Sequence, residues 1–195
     1  MRENTLVVLL VLACTLAGCA REPFRYGPAE YPSADAALAA VRGEIDGNVA
    51  AVQSLPAPLA GSVAIYVPSA DFARRGVRDA DAASRERARF IASALHAGFR
   101  GMAESIRRRG IFAQAEVRDL DGVKPDDPGD ADYVVWLELV SPNATQWYVA
   151  PRGALDAPQP LDLPLAPDVR ERVAGWLDAL AQYVGERAAA APPSP

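Results

Sequence analysis

Apolar and polar positions along this chain follow two rhythms, and the switches between them mark its elements. From Ser33 onward, Leu38, Val41, Ile45, Val49 and Val52 recur at spacings of three and four, as on one face of a helix. Ser33 supplies the N-cap and Asp35 an acid in the first turn. Leu55-Pro56-Ala57-Pro58 ends the helix, and Gly43 and Gly47 either weaken it or let another element approach closely. At residues 62–67 the period becomes two, with Val63, Ile65 and Val67 facing one way and Ala64 and Tyr66 the other. This predicts a strand closed by Pro68. A polar loop from Phe72 leads to Asp81, which caps a long helix to about Arg109. The apolar stripe of that helix is Ala88, Ile91, Leu95, Phe99, Met102 and Ile106. Arg107, Arg108 and Arg109 sit at the negative end of its dipole, and Gly110 supplies the stop.

Residues 111–117 alternate again and predict a second strand. An acidic loop follows to Asp132. Residues 133–140 are apolar on both faces except at Glu138, which predicts a central strand. Ser141-Pro142-Asn143 turns it, and residues 145–149 return as a hairpin partner. The proline-rich stretch 151–167 reads as a loop. Residues 168–187 form the last helix, with Val169, Val173, Leu177, Leu180 and Val184 on one face. Residues 188–195 read as a disordered tail. The expected class is α+β: a single two-layer domain over 33–187, with a small mixed sheet of about four strands packed by the long helix and the C-terminal helix.

The amino terminus has a different character. Arg2 precedes an apolar run at residues 6–12, too short for a permanent span of about 20 residues but suited to a signal peptide. Leu16-Ala17-Gly18-Cys19 follows. This resembles the lipobox of bacterial lipoproteins. The resemblance implies a signal peptide over 1–18, diacylglycerol on the Cys19 thiol, cleavage before that cysteine, and palmitate-like acyl chains on the mature protein. Several acyl tails, at about 0.8 kcal/mol per buried CH₂, anchor a chain stably to a membrane. Ala20 stands where inner-membrane lipoproteins of enterobacteria carry Asp, which implies the outer membrane on its periplasmic face. Residues 19–32, with Pro23, Gly27, Pro28 and Pro32, read as a linker lifting the domain off the bilayer.

Composition then narrows the chemistry. Cys14 and Cys19 are the two cysteines, so a processed chain holds no free thiol for disulfides, thiolate metal sites or nucleophilic catalysis. The net charge is −5, and the basic residues are nineteen Arg and one Lys. Without a basic tail or interleaved aromatics, this pattern argues against nucleic acid. The loop carboxylates Asp119, Asp121, Asp126, Asp127, Asp130 and Asp132, with Gly122 and Gly129, lack the spacing of a calcium-binding EF-hand and read as a solvated loop. No cofactor or metal is expected.

His96, the single histidine, lies inside the long helix. It lines up with Arg85, Arg89, Arg100 and Arg107 as a basic flank beside the apolar stripe. Such a flank suits an anionic partner, such as lipid head groups, peptidoglycan carboxylates or an acidic protein; a solvated face with i,i+4 pairs has the same pattern. Phe90 lies on the polar side of this helix and so packs on a second element or on a partner. Glu116 and Glu138 fall on neighbouring candidate strands and form a possible acid–base pair. Trp136, Trp147 and Tyr148 suit either core packing or an interface anchor.

The element order, with the strand start Ala131-Asp132-Tyr133-Val134-Val135, resembles periplasmic lipoprotein domains of the curli-secretion (CsgG) and TolB amino-terminal type, and lipoprotein activators of penicillin-binding proteins. The expected role is a membrane-anchored, non-enzymatic accessory or adaptor that binds an envelope protein. The alternatives are an envelope hydrolase using the Glu116/Glu138 pair and a carrier of lipid or small molecules.

Overall fold

A computed structural model describes residues 22–69, 81–120, 124–141, 144–162 and 168–190. A short hairpin, β1 (Phe24–Tyr26) and β2 (Ala29–Tyr31), precedes helix α1 (Ala34–Ala50). Then come β3 (Ser62–Pro68), the long helix α2 (Ala82–Arg109), β4 (Gln114–Leu120), β5 (Tyr133–Ser141) and β6 (Ala144–Pro151). A 3₁₀ turn at Arg152–Ala154, the short strand β7 (Gln159–Leu161) and helix α3 (Val169–Ala190) complete the chain. The five main strands are ordered β4-β3-β5-β6-β7. Both β4 and β5 run parallel to β3, while β6 and β7 are antiparallel to their neighbours. The α+β class with a mixed sheet is as expected, and β5 is central.

The caps follow the sequence closely. Ser33 Oγ accepts from the Ala36 N–H at 3.2 Å, and an Asp81 carboxylate oxygen accepts from the Ser84 N–H at 2.7 Å. Gly110 stops α2 in the left-handed conformation, at φ 84°, where a side chain would be strained.

Four expectations about the elements and their bounds need correction. The segment 19–32 is not wholly a linker: Phe24–Tyr31 folds back as the β1–β2 hairpin, turned at Gly27 with φ 60°. The second strand starts at Gln114, not at residue 111, because Ile111 and Phe112 are enclosed in the turn leading into it. Their apolarity reports core burial rather than strand alternation. The expected loop 151–167 contains β7, so the sheet has five strands; Pro160 is tolerated because β7 is an edge strand. Helix α3 continues past Arg187 to Ala190. The expected signal segment over 1–18, Cys19, the expected loop over 72–80, Pro142-Asn143 and residues 191–195 of the expected tail lie outside the described residues.

One sheet face packs Val63, Ile65, Val135 and Val149 against Phe99, Ala103 and Ile106 of α2 and Trp176, Leu177 and Leu180 of α3. The other clusters Ala64, Tyr66, Val134, Trp136 and Leu120 of the strands with Ala131 and Leu155. Trp147 belongs to the first face, 5.4 Å from both the Phe99 and Trp176 rings, and Trp136 stacks on Tyr148 at 5.6 Å. These aromatics fill the core.

Helix α1 packs on α2, outside the sheet. A methyl group added at Gly101 would overlap Cγ2 of Ile45, so this glycine sets how closely the two helices approach. The chain leaving α1 is tied to the far end of α2, where the Leu55 and Leu59 N–H groups donate to the Arg109 and Gly110 carbonyls at 2.6 and 2.8 Å. Among the described residues, no helix is long and apolar enough to cross a membrane.

Candidate functional site

The side-by-side packing of α1 and α2 leaves a surface groove of about 750 Å³. Ile45 and Val49 of α1 and Ala88, Ala92, Ala97 and Gly101 of α2 give it a small, apolar floor. Arg89, His96 and Arg100 line it from α2, and Arg42 joins them from α1. Asp46 and Glu104 are the acidic lining residues.

The charges do not cancel locally. Glu104 is engaged by Arg107, one turn further along α2. Among the described residues, Arg42, Arg89 and Arg100 have no carboxylate within ion-pair distance and no hydrogen bond. His96 Nε2 lies 3.8 Å from Asp119 Oδ1 of β4, a long contact that leaves the imidazole facing both β4 and the groove. The groove therefore offers three guanidinium groups on two helices, opposed by the Asp46 carboxylate. Forked donors in this arrangement suit carboxylate or phosphate oxygens.

The sequence-derived surface is only partly assembled. Arg89, His96 and Arg100 come together. Arg85 lies in the first turn of α2, and Arg107 near its end pairs with Glu104; neither lines the groove. The five share a helix face, but they span 22 residues, or roughly 33 Å of helix, and α1 flanks only part of that length. Phe90 is removed from any partner surface. It is 4% exposed, capped by Phe24 and Tyr26 of the hairpin with ring centroids 4.9 Å away in each case. The second element it required is the segment read as linker. Arg42 was not singled out from the sequence. It follows the Leu38–Val41 face by one residue, but periodicity alone does not tell which helix will lie beside it.

The Glu116/Glu138 pair is not formed. Strand β3 separates β4 from β5, and Glu116 stands level with Ala64, whereas Trp136 is level with Tyr66 and Glu138 lies beyond it. Two strand spacings and about four residues of offset put the two Cα positions roughly 16 Å apart. Glu116 is held by Arg118 on its own strand. Arg118 also reaches the Tyr66 hydroxyl at 3.4 Å, the Pro128 carbonyl at 3.3 Å and Asp130 Oδ1 at 3.1 Å. The Tyr66 hydrogen bond and the two carboxylates hold its guanidinium firmly protonated.

Residues 127–131 of the acidic loop are thus pinned over the second sheet face. Tyr66 donates to the Asp127 carbonyl at 2.6 Å, and Arg152 donates to the carbonyls of Asp130 and Ala131. Among the described residues, no three His, Asp or Glu side chains converge as metal ligands. Comparison with protein-family models, curated proteins and solved structures finds no match to this chain.

Proposed function

We propose that this protein is a lipid-anchored envelope protein, held on the periplasmic face of the outer membrane through Cys19. There it acts as a non-enzymatic adaptor whose α1–α2 groove takes an acidic segment of an envelope partner. The observation that carries the adaptor reading is the meeting of Arg42, Arg89 and Arg100 on two helices without counter-ions among the described residues. Charges left open in this way are steering groups for an anionic partner. The sequence supports the anchor through the lipobox residues 16–19 that follow the apolar run.

The hydrolase alternative needs two carboxylates across a cleft, and Glu116 and Glu138 lie on strands separated by β3. The carrier alternative needs a roomy cavity between sheet and helices. That space is filled by Trp147, Trp176, Phe99 and Ile106.

Two measurements test the two halves of the reading. Palmitate should label the full chain and not the Cys19→Ser variant, because serine lacks the thiol that accepts the lipid; label retained by that variant removes the anchor. Partners should then be captured from detergent-solubilised membranes by the lipidated chain and by an Arg42→Glu/Arg89→Glu/Arg100→Glu variant. An adaptor using this groove loses its partner on charge reversal and releases it as salt is raised. A partner held equally by both chains removes the groove from the proposal.

A further inference from the structure

Helix α2 outruns the sheet. Its C-terminal half buries Phe99, Ala103 and Ile106 against the strands, while on the same side of its N-terminal half Ile91 is 45% and Leu95 41% exposed. Arg87, Ile91 and Leu95 are spaced by four and form one ridge along this overhang. Arg87 is exposed and, among the described residues, without an ion pair or hydrogen bond. Tyr26, 43% exposed, stands beside the ridge on the hairpin, its ring against Phe90. The ridge is an apolar strip with a cation at one end, the pattern of helices that settle at a bilayer surface.

The position of the first described residues bears on what covers the ridge. Glu22 to Arg25 and, in the first turns of α2, Ala83, Ser84, Glu86 and Arg87 line one surface pocket of about 590 Å³. Cys19 is three peptide steps before Glu22, so its Cα lies within about 11 Å of that residue. A lipid on Cys19 thus enters the bilayer close to the overhang, with too little chain between them to lift the domain clear.

The geometry points to a bilayer-docked orientation in which the Arg87–Ile91–Leu95 ridge and Tyr26 rest on an anionic phospholipid surface beside the anchor. This rests on the lipid-anchored reading. Leu95 and Ile91 enter the interface, Arg87 reaches head-group phosphates, and the α1–α2 groove is held beside the membrane instead of at the end of a tether. The carboxyl end of α2, with Ser54 donating to the Arg108 carbonyl at 3.0 Å, points away from the lipid.

Once the segment holding Cys14 is cleaved and Cys19 carries lipid, no free thiol remains, which makes the test direct. Single cysteines are placed at Ile91, Leu95 or Ser54 in the full chain. The chain is purified in its lipidated form, spin-labelled, and reconstituted in vesicles of phosphatidylethanolamine and phosphatidylglycerol. Collision rates with dissolved oxygen and with an aqueous nickel chelate are then read. Docking predicts a severalfold loss of nickel collisions, with a gain of oxygen collisions, at positions 91 and 95 and no change at 54. Omitting phosphatidylglycerol should restore much of the nickel access; shielding indifferent to it overturns the role given to Arg87. Labels at 91 and 95 as aqueous as that at 54 overturn the docking while leaving the anchor standing. Spin–spin broadening between chains at 91 and 95 would assign the ridge to a second copy and equally overturn it. A purified chain whose mass shows no lipid removes the anchor, and the docking with it.

Discussion

Ser62 and Asp132 clasp the starts of two parallel strands seventy residues apart in the chain. The N–H and hydroxyl of Ser62 both donate to Asp132 Oδ2 at 2.9 Å, and the Asp132 N–H donates back to Ser62 Oγ at 3.0 Å. Gly61, at φ 107°, lets the backbone pass close to that carboxylate; a methyl there would lie 3.1 Å from Oδ2. The clasp fixes the register of β3 against β5 at the edge of the sheet core. Asp132→Ala should therefore lower stability by about 1 kcal/mol, the usual net worth of a solvent-accessible hydrogen-bonded pair. A double-mutant cycle with Ser62→Ala checks the assignment. Strictly additive losses would mean that the two side chains are not coupled.

Gly98 and Gly101 lie one turn apart on α2 and should respond in opposite ways to the same substitution. A methyl at Gly98 meets nothing within 4 Å, whereas one at Gly101 overlaps Ile45 Cγ2. Alanine is favoured over glycine in a helix by about 1 kcal/mol, so Gly98→Ala should raise the melting temperature. Gly101→Ala should lower it, because prising α1 from α2 outweighs that gain. Trimming the obstacle with Ile45→Ala in the Gly101→Ala background should recover part of the loss. Two stabilising alanines would mean that α1 does not cross α2 here.

Acid should weaken the domain through identifiable groups. The carboxyl of Asp81 is held below its ordinary range first by the Ser84 N–H and then by the Ser84 hydroxyl. That of Asp130 is held low first by its own backbone N–H and then by Arg118. A folded-state value below the unfolded one gives stability that is complete above the unfolded value, near pH 4, and lost as pH falls through the folded value. Melting temperature should be flat in this respect above about pH 5 and fall below pH 4. Asp81→Asn keeps a capping oxygen but cannot titrate. It should melt near the parent at low pH and show a shallower acid limb; an unchanged limb would remove Asp81 from the cause.

Much of this fold was legible because its signals are local. The Ser33 and Asp81 caps, the Gly110 stop and the two-sided apolarity of β5 each act within a few residues. What was not legible depended on distant neighbours. The hairpin at Phe24–Tyr31 looks like linker until Phe90 is seen to need a cover, and β7 survives Pro160 only because no strand lies beyond it. Glu116 and Glu138 seemed adjacent because chain order places one strand soon after the other, but β3 inserts between them. The basic flank of α2 was visible as a face. Arg42, which completes the groove, became assignable only when Gly101 showed where α1 crosses.

Phe90 and Leu95 provide the sharpest reversal between pattern and structure. By periodicity Leu95 belongs to the apolar stripe, where loss of a buried leucine would cost roughly 2–5 kcal/mol, while Phe90 stands on the polar side. In the fold Leu95 is 41% exposed on the part of α2 that overhangs the sheet, and Phe90 is 4% exposed beneath Phe24 and Tyr26. Periodicity reports the direction a side chain faces, not whether a strand extends far enough to meet it. Leu95→Ala should consequently cost about 1 kcal/mol or less. Phe90→Ala, which empties a ring-sized site and strips both hairpin aromatics of their contact, should cost roughly 3–5 kcal/mol. Denaturant titrations of both variants read the two stabilities directly. Amide exchange at Phe24–Tyr31 separates local from global loss. If Phe90 holds the hairpin down, those amides lose protection in Phe90→Ala at denaturant concentrations where β3 and β5 remain protected. A Leu95→Ala chain that unfolds as readily as Phe90→Ala would show that the overhang is packed, and would take the exposed ridge away from the membrane surface.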